Sequence, residues 1–324
     1  MNLGKGRNLI IHIGSPKTGT KGVQECILEN SIYLMKNFEI YYPFEHVLQS
    51  DRSYRPANGS FLLPEHFSRP YVNNYLFNCF SKSKNILLSE EVLFVDYNSS
   101  SLCFLNNNKI DYNISVVCYL RDAASYICSL WAEFNKFENG MDVGSFDEFM
   151  RGNVLFRSIG ALLRLVDRNP DFNFYFRPYP GIRDGGDVVK DFLTLLNVEI
   201  GGDGKNRERA NLSLSRKVAD IRQLQLRNNW QYSPSLNSLT LPAIAAEIES
   251  GDDRSVIETL PDEMIEKLCL EHAPYLNHLL KISGIDYFDF SNVFPSCYGK
   301  ERPPYREIDV SEYGKIQKLL KEGL

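Results

Sequence analysis

The segment HIGSPKTGTKGVQ, residues 12–24, constrains this chain more than any other part of its sequence. It follows the run NLIIHI at 8–13, which is apolar, rich in β-branched residues and short enough for one buried strand. Residues 20–36 then carry apolar side chains at helical spacing. The sequence therefore predicts a loop between a strand and a helix, a position at which backbone amides commonly bind phosphate.

The glycines of this loop have the spacing of a nucleoside-triphosphate-binding loop, but the residues after them differ. Gly14 and Gly19 are followed by Thr20 and Lys21, where that loop needs a lysine and then a magnesium-binding hydroxyl. Lys21 cannot bind a metal ion, and a lysine lies inside the loop instead, at Lys17. The pattern favours phosphate binding without magnesium.

Two interpretations of the loop stay open on geometry alone. One is an ordinary strand-to-helix turn in which Thr18 or Thr20 caps the helix. The other rests on the string PKTGT at 16–20, which resembles the 5′-phosphosulfate-binding loop of the sulfotransferases, enzymes that transfer a sulfuryl group from 3′-phosphoadenosine 5′-phosphosulfate (PAPS). The resemblance implies that PAPS is bound by Ser15, Pro16, Lys17, Thr18, Gly19 and Thr20.

A second stretch, VVCYLRDAASYICSLW at 116–131, resembles the 3′-phosphate site of the same family. Arg121 ends a predicted strand, Asp122 opens a helix, and Ser129 lies two helical turns further on. A guanidinium and a helix hydroxyl at this spacing can bind one phosphate together. The usual proline after Arg-Asp is Ala123 here, a departure that concerns helix initiation more than binding.

Two further stretches resemble the bacterial, carbohydrate-type branch of the family. The string ILLSEEVLF at 86–94 corresponds to a strand end with Ser-Ser-Glu, so that Glu91 matches the family position and is the first candidate for the base, with Glu90 second. Alternatively, both glutamates cap the next helix.

The strings at 177–198 and 209–215 also resemble this branch, and they suggest a loop that closes over the nucleotide through Arg209, Asn211 and Ser213. A solvated run of charge is the alternative for that loop.

The resemblance implies a mechanism without a metal ion. Sulfuryl transfer is an in-line displacement in which negative charge grows on the bridging oxygen of the departing adenosine 3′,5′-bisphosphate. Lys17 is the predicted cation for that oxygen. His12, within the first strand, is predicted to be structural rather than catalytic.

The expected fold is α/β, a P-loop-like three-layer αβα arrangement with a central parallel sheet and a largely helical C-terminal half. Strands are predicted at 8–13, 85–89, 114–120 and 172–176. We expect a single domain over 1–324, with a lid-like insertion around 43–80 and a helical extension around 214–324. Helices are predicted at 122–136, 145–151, 155–168, 184–197, 214–228, 242–250 and 262–282.

The composition bears on two questions, which partners the protein binds and in which cell compartment it lies. The net charge of −5 gives no support to a nucleic-acid surface, and no apolar run is long enough for a membrane span. The seven scattered cysteines suggest neither a zinc cluster nor a disulfide framework, so we expect a cytoplasmic protein with reduced thiols. The expected acceptor is a hydroxyl, less readily an amine, on a carbohydrate or glycolipid. The alternatives are a P-loop kinase of a small metabolite and a non-catalytic nucleotide-binding relative, and the oligomeric state is open.

Overall fold

The structure, a computed structural model, describes sixteen segments of the chain. The chain forms two compact units. The first unit comprises Met1–Arg121, Leu155–Asp203 and His272–Val293, and the second comprises Asp122–Val154, Gly204–Glu271 and Phe294–Leu324. The prediction of one domain over the whole chain stays a prediction. The described residues are 1, 6–15, 18–44, 49–50, 53–54, 56–95, 98–107, 112–135, 143–179, 187–200, 216–227, 254–285, 297–301, 305, 315 and 318.

The described helices and strands are numbered here in chain order. They are β1 (Asn8–His12), α1 (Thr20–Glu29), α2 (Ser31–Phe38), β2 (Ile40–Tyr41), β3 (Gln49–Ser50), β4 (Ser53–Tyr54), α3 (Arg69–Lys82), β5 (Asn85–Ser89), β6 (Asn113–Leu120), α4 (Ala123–Phe134), α5 (Phe146–Arg151), α6 (Val154–Arg168), β7 (Asn173–Pro178), α7 (Val188–Leu195), α8 (Arg216–Arg227) and α9 (Asp262–Ile282). Short 3₁₀ helices occupy Ser60–Leu62, Glu91–Phe94, Asn98–Asn107 and Val256–Thr259.

A five-stranded parallel sheet forms the centre of the first unit, in the order β2-β5-β1-β6-β7. The predicted α/β class with a central parallel sheet is confirmed. After β1 the chain adds β2 and β5 on one side, whereas β6 leads to β7 on the other. The strand order therefore reverses at the β1–β6 pair, and in open α/β sheets ligands bind beyond the carboxyl ends of the strands at such a point.

One face of this sheet packs against α1, α2 and α7. Residues two apart along a strand share a face, and Ile10, Leu87, Val117 and Tyr119 lie in one buried cluster on that face. The helices contribute Val23, Ile27, Leu34, Val188, Phe192 and Leu195 to the same cluster. Because His12 follows Ile10 by two residues, its side chain points to the same side, toward α7.

The helical pattern at 20–36 is divided in the structure. Helix α1 ends before Asn30, whose backbone N–H donates to Cys26 O, and α2 begins at Ser31. Helix α3 was not predicted, and it occupies the last part of the segment predicted as a lid, with Val72, Leu76 and Cys79 on its buried face. The lid role of 43–80 stays a prediction.

Side-chain caps mark where two helices of the second unit begin. In the second unit, Asp122 Oδ1 accepts a hydrogen bond of 2.7 Å from Ser125 N at the start of α4, as the sequence predicted for the opening of that helix. Ser145 and Glu148 form a capping box at the start of α5. The helix predicted at 242–250 lies outside the described residues. Within the described part of the chain, none of the helices combines the length and apolar character needed to cross a membrane.

Candidate anion-binding site at the carboxyl edge of the sheet

The loop after β1 closes on the carbonyl oxygen of Ser15. Ile13 N first extends the sheet by donating to Val117 O at 2.9 Å. Ser15 O then accepts from Thr18 N at 3.2 Å and from Thr18 Oγ1 at 2.6 Å, and more weakly from Thr20 Oγ1 at 3.4 Å. Thr18 thus holds the loop closed, and its predicted contact with PAPS stays a prediction.

The two loop glycines are required by close packing. Gly19 has a φ of 73°, and a Cβ there would lie 2.7 Å from Val188 Cγ1. A Cβ on Gly14 would lie 2.4 Å from Thr20 Oγ1 and 3.0 Å from His12 Nε2. Any side chain at either position would therefore displace α7 or the groups beneath the loop.

The N-terminus of α1 has the character of an anion-binding site. Its N-cap is Gly19, which offers no side-chain cap, so the interpretation of Thr18 or Thr20 as the capping side chain is wrong. The first turn contains no acidic residue, and the first intrahelical bond runs from Val23 N to Gly19 O. Helix amides and the positive end of the helix dipole are thus directed at the loop without a carboxylate to neutralise them.

Lys21 lies on the outer surface of α1. Its Nζ is 3.7 Å from Glu25 Oε1, one turn along the helix, and its side chain is 47% exposed. The position at which a nucleotide kinase has its magnesium-binding hydroxyl is thus occupied by a lysine that faces a surface carboxylate.

The two glutamates after β5 have different surroundings. Glu90 N donates to His12 O at 3.0 Å, and Glu90 Oε1 accepts from Val92 N at 3.2 Å, so this carboxylate caps the following 3₁₀ helix. Glu90 is 5% exposed, whereas Glu91 is partly exposed. The capping alternative is thus observed for Glu90, and the role of either residue as a base stays a prediction.

Arg121 follows the carboxyl end of β6, as predicted. Its guanidinium carbon lies 5.8 Å from the centre of the Tyr179 ring, and Tyr179 N donates to Leu120 O at 2.7 Å. Arg121 belongs to the first unit and Ser129, on α4, to the second. Their joint contact with a 3′-phosphate therefore stays a prediction.

Beneath the loop lies a buried polar cluster made of His12, Ser89, Gln24 and Asn58. The register of β1 and β5 pairs His12 with Ser89, and His12 Nδ1 lies 2.9 Å from Ser89 Oγ. Gln24 Nε2 donates to the same Oγ at 3.0 Å, and Asn58 Oδ1 accepts from Ser89 N at 2.8 Å. Burial lowers the pKa of His12 to about 3, so the imidazole is neutral at physiological pH, in keeping with a structural histidine.

A second network ties α7 to the sheet. Asp191 Oδ2 accepts from Tyr119 Oη at 2.7 Å and from Arg177 Nε at 2.6 Å, and Arg177 Nη2 donates to Oδ1 at 2.5 Å. Burial raises the pKa of Asp191, but the bonds and charge of Arg177 and Tyr119 outweigh it and lower the pKa overall. Burial, and then Asp191, raise the pKa of Tyr119. The network fixes the helix whose Val188 lies against Gly19.

Five of the predicted site residues belong to segments outside the described part of the chain. Pro16 and Lys17 of the first loop lie outside the described residues, and so do the three proposed for the closing loop, Arg209, Asn211 and Ser213. Conversely, Gln24 and Asn58 belong to the buried cluster and were not predicted from the sequence. The available signal for Gln24 is its position one turn after Thr20 on the buried side of α1.

Comparisons with known proteins give a distant likeness among solved structures alone. No protein-family model matches the sequence, and no curated protein matches it either. Among solved structures, the chain is similar to a sulfotransferase from Alicyclobacillus acidocaldarius at 14% identity and a TM-score of 0.35, over 61% of this chain and 83% of that one. A likeness this distant carries neither an activity nor a site residue from one chain to the other.

Proposed function

We propose that this chain is a PAPS-dependent sulfotransferase that transfers a sulfuryl group to a hydroxyl of a carbohydrate or glycolipid. The observation that carries the proposal is the loop after β1, which ends in an uncapped helix N-terminus at the strand-order reversal of the sheet. An anion bound there would meet the backbone amides of a first helical turn that contains no acidic residue. The sequence adds Lys17 inside the loop, which supplies a positive charge without a metal ion.

The described residues suit the donor at several points. Amides of the loop and of the first turn of α1 would hold the 5′-phosphate, and Arg121 at the next strand end would bind the 3′-phosphate. In the proposal, Ser129 and the closing loop complete the nucleotide site. Lys17 neutralises charge on the oxygen that leaves sulfur, and the acceptor attacks from the opposite side.

Glu91 is the proposed base. Glu90 already accepts a backbone hydrogen bond and is almost fully buried, so it is the poorer candidate for a proton from an acceptor hydroxyl. Glu91 begins the 3₁₀ helix at the same strand end and is partly exposed. A carboxylate at the carboxyl end of a strand lies where open α/β sheets bind their ligands.

The kinase alternative is less well supported. It needs a hydroxyl for magnesium directly after the loop, and Lys21 at that position pairs with Glu25 on the helix surface. A non-catalytic relative would bind adenosine 3′,5′-bisphosphate and never sulfate an acceptor.

The proposal is tested by incubating the protein with radiolabelled PAPS, EDTA and fractionated glycans and glycolipids of the source cell. We expect label in one acceptor fraction, a large loss of transfer in Glu91→Gln, and a smaller loss in the matched variant Glu90→Gln. Bound nucleotide with no labelled acceptor would instead favour the non-catalytic relative. Equal rates in wild type and Glu91→Gln would remove Glu91 from the mechanism.

A further inference from the structure

The side chain of His12 is buried with only one of its two ring nitrogens in a hydrogen bond. The residue is fully buried, with its ring 4.9 Å from that of Phe192 and 6.1 Å from that of Tyr119. Nδ1 contacts Ser89, but Nε2 has no hydrogen-bond partner among the described residues. A buried polar atom left without a partner costs roughly 1–3 kcal/mol, so such an atom calls for an explanation.

The contacts of Ser89 decide which nitrogen carries the proton. Ser89 Oγ accepts a hydrogen bond from the amide of Gln24, and its other described neighbour is His12 Nδ1. The hydroxyl proton of Ser89 is therefore directed at Nδ1, because no other described acceptor is available for it. Nδ1 accepts the hydrogen bond from that hydroxyl, and the neutral imidazole carries its own proton on Nε2.

Nε2 is directed at the phosphate loop. It lies 3.0 Å from the point that a Cβ of Gly14 would occupy, and Thr20 Oγ1 lies 2.4 Å from the same point. Because Gly14 has no side chain, Nε2 and Thr20 Oγ1 both lie within 3.0 Å of this one point. Among the described residues, the hydroxyl of Thr20 contacts only Ser15 O, at 3.4 Å.

We propose that His12 is a positioning residue of the loop: once the 5′-phosphate is bound, its Nε2–H donates past Gly14 to Thr20 Oγ1, and the proton of that hydroxyl turns from Ser15 O toward the phosphate. This inference rests on the proposed function, since the phosphate is that of PAPS. A hydroxyl that accepts one hydrogen bond and donates another is polarised, and its donated bond to an anion is strengthened. No proton leaves His12 in this role.

The test is a double-mutant cycle between His12 and Thr20, with affinity for adenosine 3′,5′-bisphosphate measured by calorimetry. His12→Asn keeps a polar atom near the Nδ1 position but lacks the Nε2 donor, whereas His12→Gln keeps a donor near the Nε2 position. Thr20→Val removes the hydroxyl, and Thr20→Ser retains it. The nitrogen chemical shifts of His12 in wild type report the tautomer independently of binding.

We expect His12→Asn and Thr20→Val each to weaken binding about tenfold, the double variant to lose little more than either, and His12→Gln and Thr20→Ser to stay within about threefold of wild type. Additive losses, unchanged affinity in His12→Asn, or a proton on Nδ1 would overturn the positioning role while the proposed function stands. Wild-type protein that does not bind the bisphosphate would overturn both. Thermal unfolding of each variant identifies losses of affinity that arise from misfolding. If His12→Asn misfolds, a folded His12→Gln variant with affinity far below that of wild type would overturn the positioning role.

Discussion

His12 Nδ1 lies 2.9 Å from Ser89 Oγ, and the two residues are register partners at the ends of adjacent parallel strands. Each strand continues directly into a segment of the candidate site, β1 into the loop with Lys17 and β5 into Glu90 and Glu91. The contact therefore connects the proposed anion site and the proposed base from beneath. It is shielded from water, because both residues are fully buried.

The buried imidazole makes stability depend on pH. Its pKa is about 3 in the folded protein and 6.5 in an unperturbed imidazole. Between these two pH values the unfolded chain binds a proton that the folded chain does not. Folding stability from this group is complete above pH 6.5 and is lost as the pH falls toward 3, by up to about 5 kcal/mol. Urea unfolding of wild type and His12→Gln at a series of pH values measures the effect.

The difference between the two unfolding curves isolates His12 from the carboxylates, which titrate in both proteins. We expect the free energy of unfolding of wild type to fall more steeply than that of His12→Gln below pH 6.5. Parallel curves would mean that the imidazole has the same pKa in the folded and unfolded protein, which would contradict its described burial.

Substitution of Gly19 by alanine is expected to destabilise the protein by about 2 kcal/mol or more. The residue has a positive φ, which L residues adopt at a cost of roughly 1–2 kcal/mol, and the new Cβ would collide with Val188 Cγ1. Gly22→Ala is the matched control, because Gly22 lies inside α1 and a Cβ there comes no closer than 3.8 Å to Val189. That change is expected to stabilise by up to about 1 kcal/mol. Similar unfolding free energies for the two variants would contradict the described loop geometry.

In the second unit, Arg216 anchors the start of α8. Its guanidinium lies 5.1 Å from the Trp131 ring centre, 4.9 Å from that of Phe146 and 5.3 Å from that of Tyr305, and its Nε is 3.1 Å from Asp220 Oδ2. A guanidinium can contact several rings while its Nε donates to a carboxylate, and the compact ammonium of a lysine does not reproduce that combination.

We therefore expect Arg216→Lys to lose about 1–2 kcal/mol of unfolding free energy and Arg216→Met somewhat more. Arg168→Met, at an exposed arginine at the end of α6, serves as the control and should change stability little. A neutral effect of Arg216→Met would show that the ring contacts contribute nothing to the fold.

Replacing Lys17 by alanine is predicted to lower kcat, whereas replacing Arg121 by alanine is predicted to weaken nucleotide binding. Loss of the cation on the leaving oxygen should lower kcat by about 10²–10³ with a small change in nucleotide affinity. Loss of the guanidinium should weaken binding of adenosine 3′,5′-bisphosphate about tenfold or more and affect kcat less. Steady-state kinetics and calorimetry on the same preparations separate the two. Equal and small losses from both would mean that the roles are misassigned.

The central strands could be predicted from the sequence because parallel strands buried on both faces are continuous apolar runs. The predicted strands at 85–89 and 114–120 differ from β5 and β6 by at most one residue at an end. Helix α3 was missed because Pro70 and the asparagines in RPYVNNYLFNCFSK suggest a loop, whereas that proline occupies the first turn, where a helix tolerates it. The break at Asn30 was missed because apolar spacing continues across it.

The candidate site was predictable where one segment carries the signal, as at Gly14–Gly19 and Arg121. It was not predictable where residues distant in sequence meet. The hydrogen bond of His12 Nδ1 depends on the strand register that brings Ser89 beside it. The hydrogen bonds of Asp191 depend on the packing of α7 against β6 and β7. Apolar spacing indicates that these residues are buried, but not which atoms they contact.

Calorimetric titration of the wild-type protein with adenosine 3′,5′-bisphosphate and, separately, with ATP, each with EDTA and with magnesium, distinguishes a metal-free bisphosphate site from a kinase site. We expect the bisphosphate to bind with the same affinity in EDTA and in magnesium, and more tightly than ATP. Preference for ATP together with a requirement for magnesium would contradict this expectation.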